Sequence, residues 1–542
     1  MGVRWRMRST ADRNPPPMAD FNPAASTLPS ATHWEPPPGI TQAQRRFTMT
    51  GTLIAMLVAA LDQTIVATAG PAIQADLDIP SSLYAWLTTS YMVSSAATLP
   101  LFGKLSDLLG RKVTLLAGIG IFVLGSVLCA LSPTALTLIL ARTVQGLGSA
   151  ALFTSAFAVV ADLYSPVERG KYQGLFSAVF GFASVVGPLV GGFVTDAFGW
   201  HWVFLINFPV GVIATLMVVR MPALKPHREE HDRPQLDIPG AVLLIATVVP
   251  LLLGLSLIHP EDAVPGTVDR SFTSPLILGL GGIAALMGAL FIWRERRAPD
   301  PLLDLRLFSN RTFALGILAT FLGGMTFLSS VVFLPLFMVN VVGLSATASG
   351  LTLTPLTLGV VAGNLSAGHL VARLGRYKGL MIASAVILMV GFLFMGLTLN
   401  TGSTQAGVTA KMVLLGLGLG PGMPLFTIAI QSAVPMRQVG VATSSATFSR
   451  NLGSTIGVAV MGTVFATTLL SHGIGGEALT GQLTGPAQQA LTQAISGIYK
   501  TNFWIAGLGL LVTFLLPSVV LRKAAGRKSD PTGPGPQAPA RA

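Results

Sequence analysis

Three ionisable side chains, Asp62, Arg142 and Arg450, each lie inside a long apolar run of the sequence. A charge at the centre of a bilayer costs about 2.5–3.5 kcal/mol on insertion scales. A carboxylate placed there lowers its cost by staying protonated, by facing a wet cavity or by pairing with a cation. Gaining or losing one hydrogen ion switches it between these states, which is the chemistry of a proton carrier. The plainer alternative is a structural carboxylate hydrogen-bonded to Thr64 or to a neighbouring helix. Arg142 and Arg450 must point into a helix bundle rather than lipid. Arg142 is a candidate partner for Asp62, with Gln145 one turn further on, although either arginine can be satisfied by helix carbonyls alone.

A second set of charges occupies one short connection, which runs Gly103, Lys104, Asp107, Gly110, Arg111 and Lys112. A carboxylate that grips another helix end is a low-cost latch. The basic residues also orient the chain in a membrane, and that role alone would account for them.

The elements that must position these residues are membrane helices. A span needs about 20 mostly apolar residues. Such runs fall near 47–70, 84–103, 113–132, 136–160, 174–196, 202–221, 239–259, 273–293, 313–339, 346–371, 379–398, 408–431, 441–470 and 502–521, fourteen in all. Two of them, 313–339 and 441–470, are long enough to be a tilted helix or a hairpin. Counting Lys and Arg loop by loop places both termini on the cytoplasmic side, in a cell inner (plasma) membrane. Only Arg270, Lys411 and Lys500 then fall outside, and only Arg142 and Arg450 fall within spans.

Composition agrees with this reading. Of 542 residues, 51% are hydrophobic and 10% charged, with a net charge of +12. Mean hydropathy is +0.67. Soluble domains carry about 25% charge, and nucleic-acid binding needs a basic face on such a domain, so that class is excluded. One cysteine, Cys129, permits neither an internal disulfide nor a Cys-built zinc site. Residues 1–46 read as a disordered cytoplasmic tail without a secretory apolar segment, with Met18 an alternative start, and 522–542 as a second tail. Between them lie a six-helix bundle at 47–222, two additional central helices at 236–293 and a second six-helix bundle at 313–521. The expected fold class is an all-α polytopic membrane protein of fourteen spans.

An internal repeat supports the two halves. Residues 103–111 and 368–376 both read G-x-L-x-x-x-L-G-R, 265 residues apart, each at a cytoplasmic helix end. Two similar six-helix halves around a central cavity are the architecture of a secondary transporter. At this point a family resemblance becomes specific. Gly103–Lys112 resembles the signature loop of the major facilitator superfamily. Leu61–Val66, Arg142–Gly148, Gly187–Gly192, Trp200–Gly211 and Arg450–Gly453 resemble segments of its fourteen-helix drug:proton antiporter branch. The resemblance spans essentially all of 47–521, with Ala67, Leu108 and His201 as departures. It implies proton coupling through Asp62 and Arg142, and gating through Gly103, Asp107, Gly110, Arg111 and Lys112. It implies an antiporter motif of Gly181, Gly187, Pro188, Gly191 and Gly192, in which glycines permit close helix approach and proline permits a bend.

Other motifs carry no chemistry. His227–His231 fits H-x-x-E-H between two prolines in a short basic loop with no third ligand, Gly146–Ala151 follows no strand, and there is no P-loop. Neither an enzyme nor a metal or other cofactor is expected. The second half has no acidic residue in its spans, which favours neutral, monocationic or lipid-like amphiphiles as cargo over divalent cations. The leading expectation is proton-coupled export of amphipathic small molecules. The alternative is export of lipids or an endogenous metabolite, with an envelope partner at the outer loop 471–500. That loop places Ala487, Ala490, Leu491, Ala494, Ile495 and Ile498 at the spacing of an interfacial helix.

Overall fold

The computed structural model describes residues 39–79, 86–222, 236–257, 274–344, 353–374, 376–435, 438–472 and 485–517. Every multi-residue element among them is helical. In chain order these are α1 (Gln42–Asp76), α2 (Trp86–Leu109), α3 (Arg111–Ala130), α4 (Ala135–Leu163) and α5 (Pro166–Phe198). Next come α6 (His201–Leu205), α7 (Asn207–Val219), α8 (Ile238–Ser256) and α9 (Pro275–Glu295). After a 3-10 turn follow α10 (Arg311–Val332), α11 (Leu334–Asn340), α12 (Thr354–Leu374), α13 (Lys378–Thr398), α14 (Gln405–Ser432), α15 (Val439–Ser471) and α16 (Pro486–Leu515).

Short polar residues start many of these helices by satisfying the first free N–H groups. Thr41 and Thr134 form capping boxes at α1 and α4, and Asn310 accepts from Thr312 and Phe313 at α10. Between α2 and α3, Gly110 adopts φ +93°, a region that side-chain-bearing residues rarely enter, so the turn requires glycine.

Helices α1–α7 pack on one another, and so do α10–α16. The pairs match position by position: α1·α5 with α10·α15, α2·α4 with α12·α14, α3·α4 with α13·α14. The halves meet at two reciprocal seams, α2 on α15 and α5 on α12. The repeated glycines sit at these seams. A Cβ on Gly103 would lie 2.6 Å from the Ser444 Cβ, and one on Gly368 would lie 2.7 Å from the Gly170 carbonyl carbon. The lysines just after each repeat also act alike. Lys112 Nζ donates to the carbonyls of Val219 and Met221 at 2.7 and 2.8 Å, and Lys378 Nζ to that of Phe514 at 2.9 Å. Each lysine thereby holds the C-terminal end of its own half's last helix, where a cation is favoured.

Among the described residues, eleven helices are long and apolar enough to cross a membrane. The other long ones, α2, α5 and α12, line the seams between the halves and are rich in Ser, Thr and Gly. The hairpin α8–α9 lies against the α2·α15 seam, where Leu244, Val248 and Leu252 pack on Val93, Ala96 and Ala97. Lys104 is ion-paired with Asp300 just beyond α9, and Arg294 with Asp237 closes the hairpin at 3.0 Å.

Several expectations need correction. Helix α1 begins at Gln42, inside the segment read as a tail, because Thr41 caps it. Residues 1–38 and 518–542, together with His227–His231, lie outside the described residues. The run 313–339 is one span rather than a hairpin, broken for a single residue at Phe333, two before Pro335, into α10 and α11. The run 441–470 is one helix of 33 residues. The largest revision concerns 486–500. These residues are the first half of α16 rather than an interfacial helix, and Ala490, Leu491, Ala494, Ile495 and Ile498 are buried in the core of the second half. Their apolar stripe faces protein and offers no docking surface; residues 473–484 of the same loop lie outside the described residues.

Candidate functional site

Asp62 lies in the middle of α1 and is buried. Its Oδ2 accepts from Arg142 Nη1 at 2.6 Å, and its Oδ1 accepts from Gln145 Nε2 at 2.7 Å and Asn207 Nδ2 at 2.9 Å. Ser126 Oγ, on α3, accepts from the same two amides at 2.7 and 3.1 Å. Arg142, only 1% exposed, donates its Nε to the Leu87 carbonyl at 2.9 Å and stacks over the Tyr91 ring at 4.5 Å. Helices α1, α3, α4 and α7 thus converge on one ion pair. Thr64 does not hold Asp62; its hydroxyl donates to the Ala183 carbonyl of α5 at 2.9 Å.

The chemistry of this cluster follows from its donor set. Every side chain around the Asp62 oxygens presents an N–H to them. A carboxylate accepts and a carboxylic acid must also donate. A protonated Asp62 therefore has no acceptor in this arrangement unless a neighbour turns, and it leaves Arg142 without its counter-charge. One proton is incompatible with the geometry as it stands, so its arrival requires rearrangement.

The second cluster lies where α2 ends. Asp107 accepts the backbone N–H groups of Gly440 at 3.1 Å and Val441 at 3.0 Å, so it caps α15 of the opposite half. Arg111 bridges Asp107 and Asp162, the latter at 2.9 Å. All three side chains are at most 7% exposed. Here a carboxylate meets a helix N-terminus, where both hydrogen bonds and dipole favour it. Gly103 and Gly110 shape the chain on either side, while Lys112 faces away, to the end of α7.

The α5 glycines divide into two groups. A Cβ on Gly187 would lie 2.7 Å from the Thr64 Cβ, two residues from Asp62, and Gly181 faces Val361 of the other half. Gly191 is buried, but a Cβ on Gly192 would meet nothing within 4 Å, so Gly192 makes no close approach, contrary to expectation. The Pro188 side chain lies outside the described ones. Overpacking a tight crossing costs about 1–3 kcal/mol. Gly187→Ala is accordingly expected to lower thermal stability by that amount and to slow transport, while Gly192→Ala leaves both unchanged. Melting curves and transport rates of the two variants check this.

Arg450 on α15 lies apart from both clusters. It lines a cavity of about 80 Å³ between α10, α13, α14 and α16.

Sequence reasoning missed Asn207, Ser126, Tyr91 and Asp162. Asn207 and Asp162 were findable, as polar residues at the edges of apolar runs. Ser126 and Tyr91 are common in such helices and only the packing singles them out.

Comparison with known proteins adds an independent line. The Major Facilitator Superfamily profile matches residues 52–458. The chain is 36% identical over 485 residues to "Multidrug transporter protein MdtP" of Bacillus subtilis (strain 168), covering 88% of this chain and 85% of that protein. It is 37% identical over 425 residues to "Multidrug resistance protein 3" of the same organism, covering 78% and 80%. In fold it is similar to the proton:xylose symporter XylE bound to 6-bromo-6-deoxy-D-glucose, with a TM-score of 0.60 at 13% identity, over 88% of this chain and 97% of that one.

Proposed function

Because the chain belongs to the major facilitator superfamily, we propose that it exports amphipathic small molecules in exchange for protons, with Asp62 and Arg142 as the coupling pair. It is a multi-pass membrane transporter and not an enzyme, and relatives named for multidrug transport and resistance support efflux as its direction. The reading includes fourteen spans, with halves at 47–222 and 313–521, the added helices at 236–293, both termini in the cytoplasm and the plasma membrane as location. On this orientation the Asp107 latch closes the cytoplasmic side, and Gly103, Gly110, Arg111 and Lys112 hold the helix ends that move when it opens.

The observation that carries the coupling is the all-donor shell around Asp62. A proton arriving there breaks the pair, and a two-state protein converts such a local change into a change of conformation. Cargo and proton then exchange across one rearrangement.

The test is transport by the full chain in proteoliposomes. An imposed pH gradient should drive a monocationic or neutral amphipathic dye uphill, and dye movement should itself shift lumenal pH. Uphill transport that persists after a protonophore collapses the gradient would overturn the coupling while leaving efflux in place.

A further inference from the structure

The two halves use the same four helix positions differently. In the first half, α1, α3, α4 and α7 supply the side chains that fill the interior around Asp62. Their counterparts α10, α13, α14 and α16 surround the cavity that Arg450 lines. Arg142 has a carboxylate, an amide and a carbonyl to serve. The Arg450 guanidinium has no hydrogen bond or ion pair among the described residues.

The rest of the lining offers it no counter-charge. Thr320, Thr326, Ser384 and Thr513 each donate their hydroxyl to a main-chain carbonyl. No Asp or Glu occurs anywhere in α10–α16. Met381, Met423 and Phe426 make the remaining wall apolar. A cation set among apolar walls without a counter-charge is costly, and a guanidinium is shaped for the two oxygens of a carboxylate or phosphate. A water needs about 10–15 Å³ of such space, so the cavity of about 80 Å³ admits an acidic headgroup and the start of its tail.

We propose that this cavity binds the acidic headgroup of an amphipathic monoanion, with the Arg450 guanidinium on its oxygens and the tail against the methionines and Phe426. The idea rests on the efflux reading and deepens it. On that reading the first half carries the proton while the second half reads the charge of the cargo. It departs from the sequence-level preference for neutral or monocationic cargo, because the cation faces an open space that the sequence alone does not show.

The experiment measures binding rather than transport, so its failure leaves proton-coupled efflux untouched. Full-length protein in zwitterionic nanodiscs is titrated with dodecanoate and with dodecanol, which share a tail and differ in charge. Dodecanoate should bind about tenfold more tightly or better, the scale of one charged hydrogen-bonded pair. Arg450→Gln should erase that preference and Arg450→Lys should keep part of it. Discs containing anionic lipid separate the sources. Competition there identifies a lipid headgroup as the occupant, and unchanged binding identifies a free amphiphile. Equal binding of the acid and the alcohol by the wild type overturns the proposal, whether or not the variants fold. A preference that survives in Arg450→Gln also overturns it.

Discussion

Asp62→Asn is expected to abolish pH-gradient-driven efflux, the largest functional loss of any single substitution in this chain. The amide cannot exchange a proton at neutral pH, and it presents an N–H toward a shell already composed of donors, Arg142 Nη1 at 2.6 Å among them. Removing one partner of a buried ion pair costs about 3–5 kcal/mol, because the remaining charge has no compensation. A lower yield of folded protein is therefore expected alongside the loss of coupling, and the two must be separated. Asp62→Asn/Arg142→Gln removes both charges and should recover much of the lost stability, since the penalty belongs to the unpaired arginine. It should not recover gradient-driven transport. Melting temperatures of the wild type, both single variants and the double variant give the coupling energy of the pair, and proteoliposome efflux gives the function. Uphill efflux by the double variant at the wild-type rate would show that the proton travels elsewhere.

Much of this site is visible in the sequence because lipid is an unforgiving solvent. A carboxylate at 62 and a guanidinium at 142 stand out where nearly every neighbour is apolar, and each is costly enough to require a reason. The helices were legible for the same reason, since backbone groups in lipid must satisfy themselves within the segment. What stays hidden is the placement of ordinary residues. Asp162 stands out as an acid at the edge of the α4 run, but only the packing makes it the second acid on Arg111, and Gly440 is one of 59 glycines until α2 is seen to end beside it. A Cβ there would sit 2.7 Å from the Asp107 carboxyl carbon, so the latch depends on a glycine in the opposite half, 333 residues away. The first half of α16 misled for a related reason. An apolar stripe at helical spacing reads the same whether it faces a bilayer surface or a protein core, and only its buried neighbours decide.

Asp107→Ala is expected to release the latch and shift the protein toward a state open on that face. The alanine loses two hydrogen bonds from a carboxylate to the α15 N–H groups at 3.1 and 3.0 Å. Bonds to a charged group are worth about 1.5–3 kcal/mol each. Even one of them corresponds to about a tenfold change in the ratio of closed to open molecules. The first half should remain intact, because Arg111 keeps Asp162 at 2.9 Å and its bond to Ser106 at 3.2 Å. The second seam has no such acid, since Ala372 stands at the repeat position of Asp107, so no partner latch compensates. Leu109 and Leu374 occupy equivalent places in the two repeats and are 56% and 61% exposed, which makes them sites for a spin label in each half. The single natural cysteine, Cys129, is buried and can be replaced before labelling. In Asp107→Ala the ratio of long- to short-distance populations between these labels should grow about tenfold or more, and Asp107→Asn, which keeps an acceptor oxygen but no charge, should fall between it and the parent protein. Gradient-driven efflux should fall in the same order, because a face that no longer closes lets the transporter slip without exchange. A label distance distribution identical in all three proteins would mean that Asp107 only caps α15 and that the closed face is held by the glycine seams.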